Sequence, residues 1–166
     1  MDTLILEWLE QNRAYALWLV PVLAFAEACV GLGLFVSGVL LVSAATLLYT
    51  TGYATLLQIM PLAWAGALLG DHSGFLLGSV IGPRFHQWRV AQRYRQAVLR
   101  GEALVKRHGG AAIFIGRFVP AIRSLVPVLV GISGFARLRF LLLDAVACLL
   151  WALALGAIVA GLDAFW

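Results

Sequence analysis

Four long apolar stretches constrain the fold of this chain more than any other feature. They lie at 14–49, 52–82, 111–135 and 140–162. A helix that spans a bilayer needs about 20 apolar residues, and its backbone polar groups must bond within the protein. Only 12% of the residues are charged, whereas soluble domains carry about 25%. The sequence therefore predicts an all-α integral membrane protein that forms one domain, 1–166.

Two of the stretches are interrupted by glycine, proline and charged residues. The stretch 14–49 is too long for one span of about 20 residues and tight for two spans with a turn. We therefore predict a re-entrant hairpin there and another at 111–135, because non-helical backbone is allowed at depth where protein or water covers it. The stretch 52–82 is predicted to span with tilt, and 140–162 is predicted to be an uninterrupted transmembrane helix.

An amphipathic segment precedes each interrupted stretch. Residues 2–13 place apolar side chains on one helical stripe, and 83–110 carry seven of the twelve basic residues. We predict two interfacial helices, the second lying on anionic lipid and ending at Gly109. A nucleic-acid-binding patch is the alternative for the basic segment, and the apolar stretches on both sides of it argue against that reading.

The two halves of the chain, 1–82 and 83–166, share one order of elements. Each is predicted to consist of an amphipathic helix, a re-entrant hairpin and a transmembrane helix. A hairpin that returns to its own side leaves one crossing per half, so the two repeats must be inverted. The positive-inside rule places the basic helix with Arg137 and Arg139 at the cytoplasmic face, and both termini outside.

A glycine recurs every four residues in the predicted span 52–82. Such a stripe of small residues lets another backbone approach closely. We predict that it packs the span against a hairpin, with two of its members, Gly70 and Gly74, at the packing site. The five glycines are Gly66, Gly70, Gly74, Gly78 and Gly82.

Four charged residues are predicted to lie at bilayer depth, where each costs about 2.5–3.5 kcal/mol at the centre. Arg117 and Arg123 flank Pro120, which disfavours an unbroken helix, so a break would let both guanidiniums converge. The planar guanidinium fork fits phosphate, and we predict a phosphate site there. Glu27 and Asp71 are predicted to carry protons. The alternatives are that the arginines snorkel or form structural ion pairs with these two acids.

Other reactive residue types are given plainer interpretations. Asp144 lies near the end of a predicted span and is expected at the interface. Cys29 and Cys148 are expected to be small apolar residues, and His72 a polar neighbour rather than a proton relay. The histidines lack metal-ligand spacing, and the sequence has no GxSxG or HExxH motif. We therefore predict no enzyme activity, no metal and no cofactor.

Two segments resemble the signature segments of the DedA family of bacterial membrane proteins. They are GDHSGFLLGSVIGPRF at 70–85 and FIGRFVPAIRSLVPVLVGISGFARLRFLL at 114–142. The resemblance extends from about Phe25 to Trp151. It implies a lipid transporter built on two opposed re-entrant hairpins, with ties to the proton motive force.

The resemblance also assigns individual residues. It places the essential arginines of the family at Arg117 and Arg123, and its membrane acids at Glu27 and Asp71. Where many members carry a Pro-Gly-acid element, this chain has Ser-Gly-Val at 37–39 and therefore lacks that acidic group.

These observations predict a multi-pass flippase of the bacterial cytoplasmic membrane that transports a lipid phosphate, with undecaprenyl phosphate as the implied substrate and protons as the implied coupling ion. The expected partners are membrane lipids, either a polyprenyl phosphate or an anionic phospholipid, and not nucleic acid. Homo-oligomer formation is left open. One alternative is a non-selective phospholipid scramblase. Another is a non-transporting membrane organiser, whose basic helix recruits anionic lipid.

Overall fold

Every regular element in the described part of the chain is a helix. The structure, a computed structural model, describes residues 13–34, 38–82, 92–93, 95–119 and 123–163. No β-strand occurs in these ranges, which agrees with the all-α prediction. The helices are α1 (Arg13–Ala28), α2 (Gly38–Thr50), α3 (Leu56–Ile81), α4 (Arg95–His108), α5 (Ala111–Phe118), α6 (Val126–Ile132) and α7 (Arg137–Asp163), with a 3-10 turn at Leu32–Leu34.

The first apolar stretch folds into two helices, α1 and α2, that pack against each other. The chain turns between them at Gly31, whose φ of +90° favours glycine over residues with a side chain. The 3-10 turn follows directly. The first stretch therefore forms two packed helices, and its re-entrant course through the membrane stays a prediction.

The third apolar stretch is also broken. Helix α5 ends at Phe118 and α6 begins at Val126, so the predicted break between Arg117 and Arg123 is confirmed. Pro120, to which the prediction assigned this break, lies outside the described residues.

Helix α3 lies at the centre of the fold and packs against α1, α6 and α7. It begins where the Thr55 backbone N–H donates a 3.0 Å hydrogen bond to Gln58 Oε1, an arrangement typical of a helix N-terminus. It ends at Gly82, whose φ is +52°. Gly82 therefore caps the helix, and no atom of the described residues lies within 4 Å of the position of an added Cβ.

The other four glycines of the stripe allow close packing, as predicted. A Cβ added at Gly70 would lie 2.7 Å from Ala28 Cβ and 2.8 Å from the Phe25 carbonyl oxygen. A Cβ at Gly74 would lie 3.1 Å from Val30 Cγ2. Gly66 abuts the backbone of Pro21 in α1, and Gly78 abuts the backbone of Val128 in α6. The stripe thus packs α3 against both interrupted stretches.

Helix α7 has the length and composition expected for the predicted span at 140–162. It has 27 residues and a mean hydropathy of 2.4, and among the helices of the described ranges it alone is long and apolar enough to cross a membrane. Helix α3 has 26 residues, about 39 Å at 1.5 Å per residue. Its length suits a span, and its lower hydropathy reflects the polar pair Asp71 and His72 near its middle.

The amphipathic segments are described in part. The first, at 2–13, falls almost wholly outside the described residues. The end of the basic segment forms α4 and stops at Gly109, which has a φ of +52°. Arg95, Arg100 and Arg107 are exposed on α4, whereas Val105 is buried. This part of the segment is therefore amphipathic, as predicted.

Candidate functional site

The four charged residues predicted at bilayer depth form two ion pairs. Arg117, in the last turn of α5, donates from Nη1 to Asp71 Oδ2 in the middle of α3. Arg123, just after the break, donates from Nη1 to Glu27 Oε1 near the end of α1. Each pair therefore joins the second half of the chain to the first.

The two pairs differ in depth. The side chains of Arg117 and Asp71 are each 2% exposed, whereas those of Arg123 and Glu27 are each 11% exposed. On α3, Asp71 lies about one turn from buried Ala67 on one side and from buried Phe75 on the other. The Arg117–Asp71 pair is thus enclosed by apolar core, and the Arg123–Glu27 pair lies closer to the surface.

Trp151 of α7 brings the two arginines together. The Cζ atom of Arg117 lies 5.3 Å from the centroid of the Trp151 ring, and that of Arg123 lies 4.9 Å from it. A guanidinium over an indole face gains about 0.5–2 kcal/mol. Sequence reasoning named Trp151 only as the end of the family resemblance and did not place it in the site.

Each arginine leaves the same edge of its guanidinium unused. The Nε and Nη2 atoms of Arg117 and of Arg123 are buried, and no hydrogen-bond partner is found for them among the described residues. These two atoms form the edge that donates two parallel N–H bonds to one oxyanion. Burying such donors without a partner is costly. The site therefore has unused capacity to bind a second anionic group at each arginine.

The position of Asp144 differs from the sequence prediction. It was expected at the interface, yet it is 1% exposed and its Oδ1 lies 3.7 Å from Arg117 Nη1. The prediction was wrong because α7 begins at Arg137, about two turns before Asp144. The residue therefore lies well inside the packed helix and faces α5.

Cys148 lies one turn further along α7 and lines the same cluster. It is buried among apolar residues, as predicted. Its Sγ is nevertheless 3.7 Å from Asp144 Oδ2 and 3.9 Å from Asp71 Oδ2. The sequence held a signal for this arrangement, because Asp144, Cys148 and Trp151 recur at the i, i+4, i+7 spacing of one helical face.

These side chains also bear on metal binding. Asp71, Asp144 and Cys148 offer ligand atoms that lie within 4.8 Å of one another. The guanidinium of Arg117, however, contacts one of these carboxylates and lies 3.7 Å from the other. A positive charge therefore already adjoins both acids, and the arrangement has the chemistry of an arginine–carboxylate cluster.

Aromatic rings lie beside the charged cluster. The rings of Phe75 and Phe140 stack with centroids 4.3 Å apart, and the His72 ring lies 6.1 Å from each. The Nδ1 atom of His72 is buried and has no hydrogen-bond partner in the described ranges. His72 is therefore packed on aromatic rings beside the site.

The site is closed in this structure. A cavity of about 10 Å³ lies between the arginines and the acids, about the minimum that holds one water molecule. The bend of the first apolar stretch also lies close to the third, because a Cβ added at Gly33 would lie 3.4 Å from Ser124 Cβ. The cavity has room for about one water molecule and is therefore smaller than a phosphate group. The residues that line the cavity are Asp71, Ile113, Arg117, Arg123, Val126, Pro127, Phe140 and Asp144.

The chain is similar to several membrane proteins of bacteria. Residues 20–161 match the VTT domain. The chain is 27% identical over 151 residues to inner membrane protein YabI of Escherichia coli K12, which covers 91% of this chain and 59% of YabI. It is 24% identical over 145 residues to protein DedA of the same organism, covering 84% of this chain and 66% of DedA.

A third relative is the uncharacterized membrane protein ML0287 of Mycobacterium leprae. It is 32% identical over 106 residues, which make up 63% of this chain and 48% of the relative. The chain thus spans about three fifths of the length of YabI and about half that of ML0287. No solved structure matches the chain.

Proposed function

The chain belongs to the VTT-domain (DedA) family of membrane proteins, and from this premise we propose that it transports a lipid phosphate across the bacterial cytoplasmic membrane. Undecaprenyl phosphate is the proposed substrate. One observation carries the proposal. Arg117 and Arg123 adjoin the same indole ring, and each has a buried bidentate edge for which the described residues provide no hydrogen-bond partner.

The charge and shape of a phosphate monoester suit this pair. Such a group carries about −1.5 to −2 charges at neutral pH and three acceptor oxygens. Two guanidiniums match that charge, and each can donate two parallel hydrogen bonds to it. In the closed structure Asp71 and Glu27 occupy one nitrogen of each arginine. An arriving phosphate would therefore compete with two carboxylates of the protein.

The difference in depth between the ion pairs suggests an order of events. The Arg123–Glu27 pair is the more exposed of the two, so we propose that the phosphate meets Arg123 first. Separation of that pair then opens the way to Arg117. The unused donors of both arginines favour a bound phosphate over a site with no anion.

The proposed architecture follows from the two interrupted stretches. We propose that α1 with α2, and α5 with α6, are re-entrant hairpins of two inverted repeats in a multi-pass protein. They would approach the arginine site from opposite faces of the membrane. Alternate separation of the two hairpins from α3 would then expose the site to one face at a time.

Proton coupling is part of the same proposal. A carboxylate that loses its arginine to phosphate is left in apolar surroundings, where its charged form is strongly disfavoured. Glu27 and Asp71 would therefore take up protons when phosphate binds and release them when the ion pairs re-form. The protein acts in this proposal as a transporter and not as an enzyme.

A flux measurement in proteoliposomes tests the proposal. We expect purified protein to move undecaprenyl phosphate much faster than a zwitterionic phospholipid, and a protonophore to reduce flux driven by a proton gradient. Equal flux of both lipids, with no effect of the protonophore, would favour a non-selective scramblase. A membrane organiser would be favoured by two results together. The protein would show no flux of any lipid, and its recruitment of anionic lipid would depend on α4 residues such as Arg95 and Arg100 rather than on Arg117.

A further inference from the structure

The buried site holds more acidic than basic groups. In the described part of the chain, three carboxylates (Glu27, Asp71 and Asp144) contact or adjoin two guanidiniums, those of Arg117 and Arg123. If all five groups were ionised, one negative charge would lack a counter-charge. An uncompensated charge in an apolar interior is disfavoured, and the group gains a proton instead.

From this charge count and the geometry, we propose that Asp71 and Asp144 form a proton-binding site that holds one proton between them. Arg117 lies against Asp71 and makes its short ion pair there, whereas Asp144 Oδ1 is 3.7 Å from the same nitrogen. Asp71 is therefore the ionised member of the pair. Asp144 carries the proton.

Unpaired oxygen atoms support this assignment. Asp71 Oδ1 is buried, and no described residue provides it with a hydrogen-bond partner. Acceptor atoms of Asp71 and Asp144 lie within 4.8 Å of each other. A protonated Asp144 carries an O–H donor that Asp71 can accept, whereas an ionised Asp144 has no donor to offer. The ligand of the site is therefore a proton.

The remaining ionisable groups around Asp144 do not remove the excess charge. Cys148 on α7 lies 3.7 Å from Asp144 Oδ2, and a neutral thiol adds no positive charge. Arg123 is already paired with Glu27. A protonated His72 would balance the count, but its Nδ1 is buried without a partner among the described residues and its ring lies against two phenylalanines.

The site connects to transport in one step. If phosphate displaces Asp71 from Arg117, both acids lose their counter-charge and a second proton binds to the pair. This coupling rests on the proposed function. The presence of the first proton rests on the charge count and the geometry, and it holds in the absence of any lipid substrate.

Infrared spectroscopy of the purified protein tests the proton directly. With ¹³C-carboxyl aspartate incorporated, we expect one isotope-shifted carbonyl band of a protonated aspartic acid at neutral pH. Asp144→Asn should abolish that band, because the site then holds two acids and two arginines. The exposed Asp163, at the end of α7, provides the control, and Asp163→Asn should leave the band unchanged.

A second variant keeps the test decisive if Asp144→Asn folds poorly. In Asp144→Glu the protonated group becomes a glutamic acid, so the isotope-shifted band should be replaced by an unshifted one. Absence of a protonated aspartic acid in the wild-type protein would overturn the proposal and point to His72. Full retention of the labelled band in a folded Asp144→Asn variant would overturn the assignment to Asp144. Neither result depends on lipid binding.

Discussion

Replacing Arg123 by lysine separates the effect of charge from that of hydrogen-bond geometry. The variant Arg123→Lys keeps one positive charge beside Glu27 and Trp151. It removes the Nε and Nη2 edge, which is buried and has no hydrogen-bond partner among the residues that the structure describes. An ammonium group is a point charge and cannot present two parallel donors to one phosphate.

The size of the expected effect follows from the number of bonds lost. One charge-assisted hydrogen bond contributes about 1.5–3 kcal/mol. Because each 1.4 kcal/mol is about a tenfold change in affinity, loss of one bond should weaken lipid-phosphate binding by about 10- to 150-fold. We expect most of the transport activity to be lost at substrate concentrations that half-saturate the wild-type protein.

The assay is binding and flux of undecaprenyl phosphate with protein reconstituted in liposomes. Arg139→Lys is the matched control, because Arg139 is exposed at the start of α7 and should behave as the wild type. If Arg123→Lys bound and moved the lipid at the wild-type level, a bidentate phosphate contact at this position would be refuted. The positive charge alone would then explain why the Arg123→Lys variant keeps its activity.

Two further predictions concern stability, measured by thermal unfolding in detergent. Gly78→Ala should destabilise the protein by about 1–3 kcal/mol, because its Cβ would overlap the α6 backbone. Gly161→Ala should leave stability unchanged, because no atom of the described ranges lies within 4 Å of the added Cβ. Equal effects of the two substitutions would contradict the packing of Gly78 on α6. Arg117→Met should cost about 3–5 kcal/mol because it strands a buried carboxylate. Asp71→Asn should cost less, because Asp144 lies 3.7 Å from Arg117. The reverse order would contradict the role given to Asp144.

The elements of the fold could be predicted from sequence where the signal is local. The apolar run 140–162 has the length and composition of a span, and the structure forms α7 there. Glycines interrupt the first stretch, and the chain turns at Gly31. A four-residue glycine repeat marks the packed face of α3, because residues four apart lie on one side of a helix.

The partners within the site could be predicted only as a group. Charged residues in apolar stretches must find counter-charges, so pairing of the arginines with Glu27 and Asp71 was an available alternative. Which arginine pairs with which acid depends on contacts between distant segments. Glu27 and Arg123, for example, are 96 residues apart in the sequence. Hydrophobic periodicity predicts which face of a helix is buried, but it does not predict which other helix packs against that face.

Asp144 was misplaced because hydropathy alone located the edge of the last span. Helix α7 begins at Arg137, within a polar segment that hydropathy does not assign to a span. A prediction from hydropathy therefore starts the helix too late and places Asp144 near its beginning. The helical spacing from Asp144 through Cys148 to Trp151 would have placed these residues on one face. The unused guanidinium edges have no counterpart in the sequence, since they depend on side-chain packing.

The central claim is that buried arginines bind the phosphate of a lipid, and a binding measurement tests it most directly. Undecaprenyl phosphate and undecaprenol have the same chain and differ only in the phosphate. We predict that wild-type protein binds the phosphate lipid far more tightly than the alcohol, and that Arg123→Ala removes most of this difference while Arg139→Ala preserves it. Equal binding of the two lipids by the wild-type protein, or an unchanged preference in Arg123→Ala, would contradict the account.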